Sequence, residues 1–297
     1  MVPLQALQWY RLVRYNGTAY SAMMVPLRRY YQFKKLSDNP IELYQNIENG
    51  KQEKASFKKL EELTNKGDAG ASYFLALCYV CGQVVNKDRS IFVKYLLKSA
   101  EGNYPIALAR LGDCFYYGED LEKDCKKGIE YYEKTIAISE AMDKTTAIQN
   151  GVDEGFISDI HYDLFRCYHG SADGFEKNMD KAYYHLEKAS KCNRRALLEF
   201  GLWNLNGYYI KQDKDKAIKC FRKLAYDEDA IAIGEYDTEQ DIAETWDIIG
   251  EANYYLGFCY ENGYGTNVDM KNAKYWYRKS ADLENEKAIK RLDELTD

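Results

Sequence analysis

Proline is scarce in this 297-residue chain, with four in all, and so is histidine, with three. Few breakers and no regular alternation of apolar and polar residues exclude a chain built from strands and point to helices. No apolar run approaches the roughly 18 residues a membrane-spanning helix needs, so no span is expected. The net charge of −6 argues against nucleic acid as the main partner, because phosphate neutralisation needs a basic surface. A phosphate-cradling glycine loop, a metalloprotease helix motif and a nucleophile elbow are all missing. No disulfide framework is evident among the eight cysteines either. Four of them, Cys78, Cys114, Cys167 and Cys259, directly precede Tyr79, Phe115, Tyr168 and Tyr260 in equivalent positions. Equivalent positions of a repeated unit lie too far apart to be bridged, so these cysteines read as small apolar residues in a reducing compartment.

The chain does repeat itself. The stretch LGFCYENGYGTNVDMKNAKYWYRKSA (256–281) aligns without a gap on LALCYVCGQVVNKDRSIFVKYLLKSA (75–100). Further copies lie at 111–136 and 200–225, and a looser one at 164–190 has one extra residue in its turn. The leading positions 75, 111, 164, 200 and 256 are separated by 36, 53, 36 and 56 residues, so the second and fourth copies are followed by insertions.

Each repeated position has a physical task. Ala71, Leu75 and Tyr79 form one stripe of a first helix, and Ala76, Gly112, Gly201 and Gly257 are small on its flank, where a neighbouring helix must come close. Gly82, Gly118, Gly207 and Gly263 suit the left-handed residue that ends that helix. Asp88, Asp124, Asn178, Asp213 and Asp269 stand where a second helix begins, as N-caps. On that second helix Phe92, Gly128, Ala182, Ala217 or Ala273 is followed four residues later by Leu96, Tyr132, Leu186, Phe221 or Tyr277. A lysine at 98, 134, 188, 223 and 279 is expected to face the negative end of its own helix. A hairpin this small cannot bury its own apolar faces, so copies stack.

The pattern A-x3-LG-x2-Y-x2-G-x5-D-x3-A-x2-WY-x-KSA, written by residues 252–281, resembles the Sel1-like repeat, a relative of the tetratricopeptide repeat. The resemblance covers roughly residues 60–290. It departs in two places: the second turn glycine occurs only at Gly265, so the other turns are expected to differ in shape, and the third copy is irregular. The fold this implies is all-α, a right-handed α/α superhelical solenoid of stacked helix-turn-helix repeats. The expected organisation is a basic extension or capping helix at 1–40, a partial repeat at 41–68, and five repeats over 69–290 with insertions near 137–158 and 226–250.

Proteins of that family are non-enzymatic adaptors, which implies a concave face that holds another protein or a peptide. The residues agree, since the first helices carry a second apolar face opposite the first. In copy one this face is Tyr73, Leu77 and Val80; in copy two it is Ala109, Asp113 and Tyr116. The third copy contributes Tyr162, Arg166 and His169, the fourth Leu198, Leu202 and Leu205, and the fifth Tyr254, Phe258 and Glu261. Such a face either packs against flanking helices or forms a tyrosine-rich groove for a partner.

Charge is distributed unevenly. No lysine or arginine occurs between Lys223 and Lys271, where Asp227, Glu228, Asp229, Glu235, Asp237, Glu239, Asp241, Glu244, Asp247, Glu251 and Glu261 accumulate. Residues 1–37 hold Arg11, Arg14, Arg28, Arg29, Lys34 and Lys35 and no acid. The two segments are either solvated separately or complementary, within one molecule or between two. The N-terminal stretch reads as a cap on the stack or, alternatively, as a mitochondrial targeting segment, although it is poor in serine. A cytoplasmic location is the expectation.

Chemistry leaves few candidates. Cys78-x-x-Cys81 has redox or zinc spacing but ends a repeat helix and lacks a second pair. His161, Cys167 and His169 are close in sequence, yet on a helix His161 and Cys167 point about 120° apart and Cys167 and His169 about 160° apart. No catalytic residue, metal or cofactor is expected. The alternative to a scaffold is a cofactor- or redox-linked accessory factor that uses the cysteines.

Overall fold

The computed structural model describes residues 36–170, 176–226 and 239–295. Among the described residues all regular structure is helical. The helices are α1 (Pro40–Glu48), α2 (Glu53–Asn65), α3 (Ala69–Cys81), α4 (Arg89–Glu101), α5 (Pro105–Asp113), α6 (Cys125–Ala141) and α7 (Lys144–Gln149). They are followed by α8 (Glu154–His169), α9 (Met179–Ala189), α10 (Arg194–Asn206), α11 (Lys214–Ala225), α12 (Glu239–Asn262), α13 (Met270–Ala281) and α14 (Glu286–Glu294). A π-helical turn, Cys114–Gly118, ends α5. The chain divides into two compact units, 1–177 and 178–297, with the division falling inside the third copy between α8 and α9. In the first unit α1 packs on α2, α3 on α4 and α5 on α6; in the second α10 packs on α11 and α12 on α13.

The caps lie where the pattern puts them. Asp88 accepts from the Ser90 and Ile91 amides, and Asp124, Asn178, Asp213 and Asp269 each accept from the amide three residues on. The amide of each aspartate closes the preceding turn, donating to Tyr79, Phe115, Asn204 and Tyr260 carbonyls at 2.8–3.0 Å. Gly82, Gly118, Gly207 and Gly263 have φ of 66–78°.

At the position of the missing second glycine, four turns among the described residues share one backbone conformation. Val84, Asp120 and Tyr209 stand where Gly265 stands, two residues past the turn glycine, and all four have φ of 63–65°. Left-handed backbone is held here by residues that disfavour it, Val84 most of all. In two of these turns the side chain reaches the preceding repeat. Asp120 lies 2.6 Å from Arg89 at the start of α4, and the Tyr209 hydroxyl donates to Asp180 on α9 at 2.5 Å. At Gly265 the turn sits against α11 itself, because an added Cβ would lie 2.5 Å from the Lys214 carbonyl oxygen.

Small residues on the first helices answer aromatic ones on the second. A Cβ on Gly112 would meet Tyr132 at 2.5 Å, on Gly201 Phe221 at 2.7 Å, and on Gly257 Tyr277 at 2.8 Å. Copy one pairs Ala76 with Leu96 at the same positions, the only pair of these four without a ring. The buried stripe of Leu75, Leu111, Leu164, Phe200 and Leu256 completes the core between the helices.

Lys98, Lys188, Lys223 and Lys279 stand in the last turn of their own helices as expected, and two of them also reach the preceding hairpin. Lys98 donates to the Thr64 carbonyl at the end of α2 (2.8 Å), and Lys223 to the Lys191 carbonyl beyond α9 (2.9 Å). Each therefore caps the second helix of the hairpin before it. Its side chain is long enough to satisfy an orphan carbonyl one hairpin away, which places the cation at that neighbour's negative end.

Candidate interaction faces

Burial divides the second face of the first helices. In copy one Tyr73, Leu77 and Val80 are buried, with the Tyr73 ring 5.5 Å from Tyr104 and 5.4 Å from Phe74. Ala109, Asp113, Tyr162, Leu198 and Leu205 are buried as well. These side chains pack the chain's own helices. Asp113 accepts a hydrogen bond from Tyr132 at 2.7 Å and lies 3.8 Å from buried Arg110, which makes it part of an internal polar cluster.

The remainder reach the surface. Arg166 is exposed, and Tyr116 and His169 are partly so. The His169 ring stacks on Phe165 at 5.3 Å, and burial, then nearby Lys177, holds its imidazole below the usual range. Burial, then neighbouring Cys167, pushes the Tyr116 phenol up. In the second unit Leu202, Tyr254 and Phe258 are partly exposed on α10 and α12. Tyr254 and Phe258 rest on a core of Ala273, Tyr277 and Ala288. On α10 the Glu199 carboxyl is pushed up by burial first, with Arg195 opposing.

Glu261 is committed within the chain. Arg291 of α14 grips both its oxygens and Tyr277 donates to it at 2.7 Å, which together hold its carboxyl below the ordinary range. Other acids of the lysine-free stretch are paired too: Glu244 with Arg195 at 2.7 Å and Glu251 with Lys287 at 2.9 Å. Asp227, Glu228, Asp229, Glu235 and Asp237, like Arg11, Arg14, Arg28, Arg29, Lys34 and Lys35, lie outside the described residues.

All eight cysteines are free thiols. Burial pushes Cys114 and Cys259 up to about 12 and Cys220 to about 11, and raises Cys78 and Cys81 as well, so these thiols are poor nucleophiles. The Tyr44 hydroxyl lies 3.9 Å from the Cys81 sulfur. Sequence reasoning missed Glu48, which shares this neighbourhood and whose carboxyl burial lifts to about 8. His161, buried on α8, has its Nε2 4.0 Å from Glu140.

The model of the Sel1 repeat matches residues 69–104, 105–137, 159–193, 195–229 and 250–285, which are the five units built above. The chain belongs to the Sel1 repeat family. A curated relative is the chitin synthase regulator SKT5 of Saccharomyces cerevisiae, 22% identical over 80% of this chain. The chain spans 36% of that relative's length. Among solved structures, a Sel1 repeat protein from Oxalobacter formigenes matches 86% of this chain and 87% of its own with a TM-score of 0.58 at 21% identity. That likeness is one of fold. The Sel1 matches join α3 with α4, α5 with α6, α8 with α9, α10 with α11, and the C-terminal part of α12 with α13. No described helix is long and apolar enough to cross a membrane.

Proposed function

We propose that this Sel1 repeat chain is a non-enzymatic scaffold that holds a partner protein or peptide on the first-helix face of its repeats. The observation that carries the reading is the contrast between copies. Positions closed at Tyr73 and Leu77 are open at Tyr254, Leu202 and Phe258, leaving apolar and aromatic surface on α10 and α12 of the second unit. Aromatic and leucine side chains set among charged neighbours suit an amphipathic helix or an extended segment. Arg166, His169 and Tyr116 are the corresponding residues of the first unit. In the same reading the α1–α2 hairpin is the partial repeat that opens the stack. The high pKa of the buried thiols supports a structural rather than a redox role for them.

The test is affinity capture from cell extract with the full chain, compared with Leu202→Asp and Arg166→Glu variants checked for unchanged helicity. Loss of the same specific proteins from one or both variants is expected. Identical captured sets from all three would contradict a partner on this face.

A further inference from the structure

The outer face of the second helices in the second unit has a different chemistry from the first-helix face. Helix α11 carries five cations, Lys214, Lys216, Lys219, Arg222 and Lys223, against Asp215 alone, and α13 carries Lys271, Lys274, Arg278 and Lys279 with no acid. Some of these turn inward. Lys214 lies over the Tyr264 ring at 3.6 Å, Arg222 donates to the Tyr260 hydroxyl at 3.0 Å, Lys223 reaches the Lys191 carbonyl, and Lys274 the Leu295 carbonyl. Lys216, Lys219, Lys271, Arg278 and Lys279 remain exposed, Lys216 with the Asp213 cap 4.0 Å away. Two tyrosines stand among them, Tyr226 at 62% and Tyr275 at 49% exposure. The Tyr226 ring meets Trp276 edge-on at 5.2 Å, which brings the end of α11 to α13, and Tyr275 stands beside Trp276 on α13 itself.

A face that is strongly positive in a chain of net charge −6 selects for an anionic counterpart. The exposed cations are mostly lysines, point charges without the fork that reads a carboxylate or phosphate bidentately. Among the described residues there is no sheet edge that a peptide strand could join. Exposed tyrosines beside lysines match the interfacial layer of a bilayer, where the ring sits at headgroup depth and the ammonium meets anionic lipid.

We propose that the outer face of α11 and α13 is a peripheral docking surface for an anionic lipid bilayer. It is separate from the first-helix face, so scaffold and membrane contact can operate together.

The test is co-sedimentation of the full chain with phosphatidylcholine vesicles and with vesicles that also contain phosphatidylserine, at low and high salt. Binding is expected to require phosphatidylserine and to fall as salt rises. Reversing Lys216, Lys219 and Lys271 to Glu should weaken it by about fivefold or more per lysine. The Lys54→Glu/Lys58→Glu variant, altered on exposed α2, should bind as the parent does. Tyr275→Ser should lower binding while leaving its salt dependence in place. Equal binding to both vesicle types, no binding to either, or equal loss in the α2 variant would overturn the proposal. So would binding to poly-glutamate or to RNA with none to phosphatidylserine vesicles, which would make the face a protein or nucleic-acid contact.

Discussion

At the scale of single residues, the turn positions show how much a repeat tolerates. Val84 holds φ at 64° with a β-branched side chain that is 37% exposed. Left-handed backbone costs such a residue about 1–2 kcal/mol. Val84→Gly removes that strain, at some cost in unfolded-state entropy. A net gain of about 0.5–1 kcal/mol is expected in the urea unfolding midpoint. Glu48 supplies a second residue-scale prediction. Its folded-state pKa of about 8 lies above the unfolded value, so its contribution favours the folded state at low pH and is lost as pH rises towards 8. Glu48→Gln should therefore raise the melting temperature at pH 8 and leave it nearly unchanged at pH 4. Because the side chain is partly exposed, a gain of about 1 kcal/mol is expected rather than the full linkage value. Glu261 has the opposite sign: Arg291 depresses its pKa, so the stability it adds is present above the ordinary carboxylate range and lost as pH falls through its folded value.

At the scale of helices, close approach decides which residues can be exchanged. Gly257 faces Tyr277, and a methyl there would need 2.8 Å of space that the ring occupies. Gly257→Ala should destabilise by about 1–2 kcal/mol, overpacking outweighing the gain in helix propensity. The double variant Gly257→Ala/Tyr277→Leu rebuilds the Ala76–Leu96 pair and should cost less than the two single changes summed, although Tyr277→Leu also gives up the Glu261 hydrogen bond, measured as a double-mutant cycle. Lys98 tests the bond between hairpins. Lys98→Met removes the donor to the Thr64 carbonyl while keeping the apolar stem, and should cost about 1 kcal/mol in thermal or urea unfolding. Much of this element-scale structure was legible beforehand. Caps and turn glycines are local: Asp88 needs only amides two and three residues away. The lysine's true partner was not legible, because it lies 34 residues off and is chosen by the stacking of hairpins. Nor could periodicity separate Tyr73 from Tyr254. Both occupy the same position of the repeat, and what covers the first, Tyr104 of the next repeat's entry, has no counterpart in the pattern.

At the scale of the whole molecule, each unit is a series of hairpins: within a hairpin an aromatic fills the notch beside a small residue, and between hairpins Asp120, Tyr209, Lys98 and Lys223 reach back to the preceding one. Such a chain is stabilised mainly between neighbours. In the proposed reading, recognition falls to the partly exposed Leu202 and Phe258 on the first helices and to the exposed lysines of the second helices. Hydrogen–deuterium exchange on the full chain bound to a captured partner tests this division most directly. The account predicts slowed exchange in α10 and in the C-terminal half of α12, with α11 and α13 unchanged. Protection confined to α11 and α13, or none on any first helix, would contradict it.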